Sequence, residues 1–250
     1  MPKTPFQEEE YFFKKKVREM AVYLLRLAKT TRTYRTLGEI LGLQQTVLAR
    51  YVKGEVVPSY ERAVKMSKRL SQVVNLQNTL AELTLLKDGF FDNSKIIGNP
   101  SILKLAAYEC MKRFKDYRIT KILTPAVDGI PIAVACAIEL NKPLVIAKKA
   151  KEVGVENFIE YSYTTEDGVV ISWYIPKTLF PRDSILIVDD VVRRGDTLKA
   201  MMQLVRLTEA NLTGIFTLVT IGEDYKQVVG DVKYETVLTC TPTIEKRTYI

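Results

Sequence analysis

The sequence predicts an α/β chain in two parts. An all-α N-terminal domain is expected over residues 1–75, a linker helix over 76–94, and a domain built on a mostly parallel sheet over 95–250. Three observations point there. In the first third, apolar residues recur at helical spacing between short polar or glycine-containing breaks. From about residue 95, short apolar strands alternate with amphipathic helices, the pattern of βαβ units. Charge is also divided: residues 1–75 hold 15 Lys and Arg against 7 Asp and Glu, while residues 76–250 hold 22 of each. The whole net charge of +8 therefore lies in the first third, which favours a polyanionic partner at that end.

Each element has its own justification. Residues 8–29 form an amphipathic helix, with Phe12, Phe13, Val17, Met20, Leu24 and Leu25 on one face and Lys14, Lys15, Lys16 and Arg18 on the other. Compact elements follow at Leu37–Leu41, Gln44–Val52 and Tyr60–Leu70, separated by Gly42 and by Gly54 through Pro58, with Ser59 capping the third. Val73, Leu76, Leu80, Leu83 and Leu86 continue as a connecting helix that Asp88-Gly89 ends. Helix Ile102–Phe114, strand Ile119–Leu123, helix Ile132–Leu140 and strand Pro143–Ala147 come next. A hairpin over 158–175 turns at Glu166-Asp167-Gly168. Strand Ser184–Val188, helix Thr197–Glu209 and strand Gly214–Ile221 complete the pattern.

Composition removes several classes of function. With no His, a His-based triad, His-ligated zinc and imidazole pH sensing are excluded. Cys110, Cys136 and Cys240 have no paired spacing and read as small apolar residues rather than a disulfide framework or metal site. No run approaches the roughly 18 apolar residues of a membrane span. The start, Met1-Pro2-Lys3-Thr4-Pro5 running into Glu8-Glu9-Glu10, is not a signal peptide, so a cytoplasmic protein without membrane contact is expected.

The segment Tyr34–Tyr51 has the grammar of two short helices joined at a tight turn. Leu37, Ile40 and Leu41 make one face, Gly42 allows positive φ, and Leu43, Val47 and Leu48 continue the apolar pattern. The second helix then exposes Gln44, Gln45, Thr46 and Arg50. Gln and Arg make paired hydrogen bonds to base edges in the major groove of double-stranded DNA. Lys53 and Arg62 flank this edge and suit phosphates, as do Arg35 and Tyr51. Over residues 33–70, including the Val52-Lys53-Gly54-Glu55 element before Pro58-Ser59, the segment resembles the Cro/repressor type of helix-turn-helix.

The stretch Ser184–Leu198 carries the second constellation. A buried strand ends in Asp189 and Asp190, and a short loop with Gly195 enters a helix at Thr197. Ligands of open α/β sheets bind at the carboxyl ends of strands, and a helix N-terminus accepts phosphate. Two acids just before it suit sugar hydroxyls or hydrated magnesium. The stretch resembles the ribose-phosphate loop of type I phosphoribosyltransferases, and the resemblance extends over about residues 95–225. It implies that Asp189 and Asp190 meet ribose hydroxyls and that Arg193, Arg194, Gly195, Asp196 and Thr197, following Val191 and Val192, cradle the 5-phosphate. Thr124–Pro131, with Val127, Asp128 and Gly129, matches the family's pyrophosphate loop. Lys148, Lys149 and Lys151 stand at a strand end where the family places basic residues. Alternatively, these lysines are an ordinary solvated strand end. The resemblance implies Mg²⁺ bound together with phosphoribosyl diphosphate, and no separate metal site.

The sequence also departs from that family. Arg193 and Arg194 occupy positions usually held by small or hydroxyl residues, where they either add phosphate contacts or crowd the loop. Asp196 sets a negative charge beside the expected phosphate. The hairpin region lacks a dense basic set, and no base-reading motif follows residue 222. The favoured expectation is a transcription regulator, resembling two-part regulators known in archaea and, with a winged module, in bacteria. It would be a homodimer sensing phosphoribosyl diphosphate or a nucleotide. The alternatives are an active nucleobase phosphoribosyltransferase with an N-terminal regulatory domain, and a helical dimerisation module on a nucleotide-binding fold.

Overall fold

The computed structural model describes residues 5–83, 93–165 and 167–241, which divide into two compact units between Leu76 and Gln77. The first unit is helical: α1 (Pro5–Thr31), α2 (Tyr34–Leu41), α3 (Gln45–Lys53) and α4 (Tyr60–Val73). The spacing of Val17, Met20, Ala21, Leu24, Leu25 and Ala28 places one apolar stripe of α1 in the core, and α1 packs along α4. Thr33 caps α2 by accepting from the Thr36 amide at 3.2 Å, and Gly42, at φ 68°, turns the chain towards α3. Leu37, Leu48 and Leu70 are fully buried where these helices meet.

Arginines tie the unit together from its surface. Arg18 Nε donates to the Pro58 carbonyl at 2.7 Å, Arg26 Nε to Val52 at 2.9 Å, and Arg69 Nη1 to Ile40 at 3.0 Å. The last two bonds cover carbonyls at the ends of α3 and α2, where a helix leaves acceptors unfilled.

The second unit opens with α5, which begins at the boundary (Leu76–Leu83), followed by α6 (Ser94–Ile97) and α7 (Pro100–Arg113). Strands and helices then alternate: β1 (Lys121–Pro125), α8 (Ile130–Leu140), β2 (Leu144–Ala147), β3 (Phe158–Thr164), β4 (Val170–Pro176), β5 (Ser184–Val192), α9 (Asp196–Leu207), β6 (Asn211–Ile221), α10 (Tyr225–Val229) and β7 (Tyr234–Cys240). Five strands form one parallel sheet in the order β2-β1-β5-β6-β7, and β3 and β4 form a separate antiparallel hairpin. Leu123, Ile185, Ile187 and Ile215 face α9 and the hairpin in a core that includes Trp173, Ile175, Leu198 and Met201. Alternation along the strands turns Ile122, Leu186 and Val188 to the other face, which α8 covers. Cys110 and Cys136 are buried there, as expected of small apolar residues.

The structure corrects several expected boundaries. The connecting helix is interrupted at Val74 and Asn75, where the Val74 amide closes α4 on the Leu70 carbonyl at 2.7 Å. Its expected end at Asp88-Gly89 lies outside the described residues. Strand β1 begins two residues late, at Lys121, because pairing with β5 starts at Lys121–Ile185. Strand β5 does not stop at Val188. Its ladder with β6 continues through Asp189–Thr217 to Val192–Thr220, so both acids lie within the strand. β7, α10 and α6 are elements that the apolar pattern did not single out.

A stability prediction follows from the helical core. Leu48→Ala should cost about 2–5 kcal/mol of unfolding free energy by opening a cavity between α2, α3 and their neighbours. Thermal and denaturant unfolding of the full chain checks this.

Candidate functional site

The carboxyl end of the sheet gathers a set of acids around a helix start. Asp189 and Asp190 are only 7% and 6% exposed at the end of β5. The Asp190 amide donates to Asp189 Oδ1 at 2.9 Å. The β1–α8 loop must pass close by, and Gly129 makes this possible. A Cβ there would stand 2.7 Å from both Asp189 Oδ1 and Thr124 Oγ1. Burial pushes the Asp189 carboxyl well above the usual carboxylate range, reinforced by the charges of Asp190 and Asp128, while the Asp190 amide opposes the shift.

Beyond the acids, the loop Arg193–Gly195 leads into α9. Gly195, at φ 90°, is the cap residue and supplies no side-chain acceptor to the first turn. The first-turn N–H groups are thus left for an anion, with the helix dipole behind them. Behind Gly195, Val228 of α10 would lie 3.0 Å from an added Cβ, and Tyr225 stacks on Tyr234 with centroids 4.4 Å apart.

One cavity of about 570 Å³ joins these parts. Of the residues singled out in the sequence, Asp128, Asp189, Asp190, Val191, Val192, Arg193, Arg194, Gly195, Asp196 and Thr197 line it. The Arg193, Arg194 and Asp196 side chains are exposed at its wall. Val127 and Gly129 sit in the adjoining loop outside that lining, with Val127 74% exposed. Asn93 also lines the cavity, and sequence reasoning missed it. Its Nδ2 donates to Asp190 Oδ2 at 2.5 Å and to Asp128 Oδ2 at 3.4 Å. Nothing in the local sequence of Asn93 signals a ligand, because it lies before the strand–helix pattern begins.

The three lysines are drawn elsewhere. Lys148 bridges to Tyr174 through reciprocal backbone bonds of 2.9 and 2.8 Å, which lays β4 of the hairpin beside the end of β2. Lys148 then pairs with Glu152. Lys149 lies over the Trp173 ring at 5.3 Å. Lys151 pairs with Glu160 at 3.1 Å and holds that carboxyl below its ordinary range. None of the three lines the cavity. Among the described residues, no group of three or more Cys, Asp or Glu is placed to hold a metal ion by itself.

The helical unit presents a second surface. Gln44, at the cap of α3, and Gln45, Thr46, Arg50 and Lys53 are exposed. Thr46, Arg50 and Lys53 share one face by their spacing of four and three residues. Arg50 and Lys53 contact Glu55 at 3.5 and 3.9 Å, and Arg35 contacts Glu39 at 3.4 Å. Such exposed pairs contribute about 0–1 kcal/mol and exchange readily for another anion. Tyr51 departs from expectation. It is 3% exposed, packed in the helical core, and its hydroxyl accepts from Arg62 Nη1 at 2.9 Å. Arg62, not Tyr51, is the exposed member of that pair.

Comparison with known proteins bears on the unit that holds the cavity. A family model described as "Phosphoribosyl transferase domain" matches residues 99–245. The chain is 35% identical over 135 residues to a xanthine phosphoribosyltransferase of Heliobacterium modesticaldum, a match covering 52% of this chain and 69% of that protein. It is 28% identical over 137 residues to the purine biosynthesis transcriptional repressor PurR of Bacillus subtilis, covering 54% of this chain and 48% of the repressor. The solved adenine phosphoribosyltransferase of Rhodothermus marinus matches with a TM-score of 0.59 at 24% identity, covering 67% of this chain and 99% of that one. That likeness shows a shared fold.

The buried acid predicts a pH dependence. Because Asp189 is held above its unfolded value, the folded chain keeps a proton that the unfolded chain releases earlier. Its contribution to stability is full below the unfolded carboxylate range and is lost as pH rises through that range towards the raised folded value. Asp189→Asn should therefore flatten the stability profile of the unliganded chain and raise its stability at neutral pH by about 1–3 kcal/mol. Thermal unfolding between about pH 4 and about pH 8 measures both effects.

Proposed function

The chain belongs to the phosphoribosyl transferase domain family, and from that premise we propose that it is a DNA-binding transcription regulator of purine metabolism whose family domain senses phosphoribosyl diphosphate or a nucleotide. One observation carries this reading. A cavity with a buried acid pair and an uncapped helix start is built on the same chain as a helical unit with an exposed Gln, Thr and Arg edge. Ribose hydroxyls would donate to Asp189 and Asp190. The first-turn amides of α9, with Arg193, Arg194 and Thr197, would hold the 5-phosphate. The Val127–Gly129 loop would meet the diphosphate.

The oxygen donors fit a hard cation. Asp189 and Asp190 would hold hydrated Mg²⁺ carried in with the diphosphate, whose negative charge it offsets. Asp196, exposed at the wall, leaves a further negative charge for Arg193 and Arg194 to balance.

On the helical unit, α3 would enter the major groove. Gln44, Gln45, Thr46 and Arg50 would face base edges, and Arg35, Lys53 and Arg62 the phosphates. A homodimer would set two such helices about 34 Å apart, or a multiple of that distance. Ligand control of DNA affinity requires that the two DNA-binding states differ in their affinity for the ligand. A second reading, a nucleobase phosphoribosyltransferase, draws support from the 35% identity to a xanthine enzyme and from the acid pair itself. Its catalytic work would be positioning the diphosphate and stabilising the leaving pyrophosphate.

Selection from a random DNA pool, alongside turnover assays with purine bases and phosphoribosyl diphosphate, separates the two readings. The regulator reading predicts a selected sequence whose affinity the phosphoribosyl compound changes, and no turnover. Robust turnover with only salt-sensitive, unselective DNA binding would overturn it. Arg50→Ala should cost about 1–3 kcal/mol on the selected sequence and relax one base position. Lys53→Ala should weaken all sequences alike and reduce the salt slope by about one. Replacing Asp189 and Asp190 together by Ala should remove the effect of the ligand while leaving basal DNA affinity nearly unchanged.

A further inference from the structure

The side chain of Asn93 occupies the part of the cavity where a sugar would be read. Its amide is a double donor, and it donates to Asp190 Oδ2 at 2.5 Å and to Asp128 Oδ2 at 3.4 Å. A ribose diol is also a pair of donors, with its two O–H groups seeking the same carboxylate lone pairs. Asp190 is 6% exposed, so there is little room for both sets of donors at its outer oxygen. The Asn93 amide thus stands in for a ribose hydroxyl.

Asn93 is also tied to the chain around it. Its backbone carbonyl accepts from the Ile96 and Ile97 amides at 2.8 and 2.9 Å, which starts α6, and Ile96 is buried at 1% exposure. Its side chain does not cap α6, so one residue starts the helix through its backbone carbonyl and meets the acids through its side chain. In sequence, Asn93 leads directly back through residues 76–92 towards the helical unit.

Resting on the reading of the cavity as a phosphoribosyl site, we propose that Asn93 is a built-in competitor for the ribose hydroxyls. The diol of a bound phosphoribosyl ligand displaces it from Asp190, and this displacement loosens the start of α6. The device converts sugar occupancy into a change in the chain segment that leads to the helical unit. A phosphate or diphosphate without the sugar and without a bound cation fills the loop but leaves Asn93 in place. With the competitor on Asp190, the apparent affinity for a diol ligand is scaled down by the fraction of sites that are free of it.

The test uses the full-length chain and the variant Asn93→Ala, titrated by calorimetry with phosphoribosyl diphosphate and, separately, with pyrophosphate, each without Mg²⁺ so that no cation is brought to the acids. Removing one charge-assisted competitor should tighten phosphoribosyl diphosphate about three- to tenfold and leave pyrophosphate unchanged. In the unsubstituted chain, phosphoribosyl diphosphate, but not pyrophosphate, should speed amide exchange at Ile96 and Ile97. The proposal is overturned by an unchanged or weakened affinity for phosphoribosyl diphosphate in the variant, by an equal gain for pyrophosphate, or by exchange at Ile96 and Ile97 that ignores the sugar. If neither protein binds phosphoribosyl diphosphate, the reading of the cavity itself fails, and the competitor with it.

Discussion

Two carboxylates buried at the end of a central strand set the terms for the second unit. An acid at 6–7% exposure is expensive unless donors or a cation meet it. Here Asp189 takes the Asp190 amide, Asp190 takes the Asn93 side chain, and Gly129 is the residue small enough to let the β1–α8 loop come within reach. Even so, burial and mutual repulsion keep the Asp189 carboxyl well above its ordinary range. The unliganded pocket is therefore poised for a ligand that brings both hydroxyl donors and positive charge. The uncapped start of α9 next to it supplies what the acids lack, a site of positive potential for a phosphate.

The helical unit solves a different problem with the opposite charge. Its basic excess serves two purposes. Arg18, Arg26 and Arg69 are held on backbone carbonyls and clamp the unit together, while Arg62 rests one nitrogen on the buried Tyr51 hydroxyl and stays exposed. Arg35 of α2 and Arg50 and Lys53 of α3 instead pair with exposed glutamates. Bulk charge in the sequence reported a basic unit without telling these two uses apart. It also gave no hint that the neutral second unit holds a concentrated acidic pocket.

The strand–helix alternation made β2, the hairpin, α9 and most of the sheet legible, because buried parallel strands are written as short apolar runs. The acid pair and the glycine turn into α9 were legible as a motif. What could not be read locally depended on partners distant in sequence. β5 runs on through Asp189 and Asp190 because β6 offers ladder partners up to Thr220, which outweighs the polar side chains. β7 has only Val237 fully buried, so its pattern is faint, and the five residues of α10 are too few to show a helical period. Lys148, Lys149 and Lys151 stand at the expected strand end, where Lys148 pairs with Glu152, Lys149 lies over Trp173 of β4 and Lys151 pairs with Glu160 of β3, contacts that no local pattern announces. Asn93 reaches the site only through the fold, across a separation of 97 residues from Asp190.

The proposed function joins a sugar-phosphate pocket to a DNA-reading helix, and linkage makes that union measurable from either end. If the ligand alters DNA affinity by some factor, DNA must alter ligand affinity by the same factor. The direct measurement is the affinity of the full-length chain for phosphoribosyl diphosphate with Mg²⁺, first free and then saturated with DNA selected by the chain itself. Two different affinities are expected, separated by about 5- to 150-fold as in typical allosteric coupling. Equal affinities in the two states would contradict it.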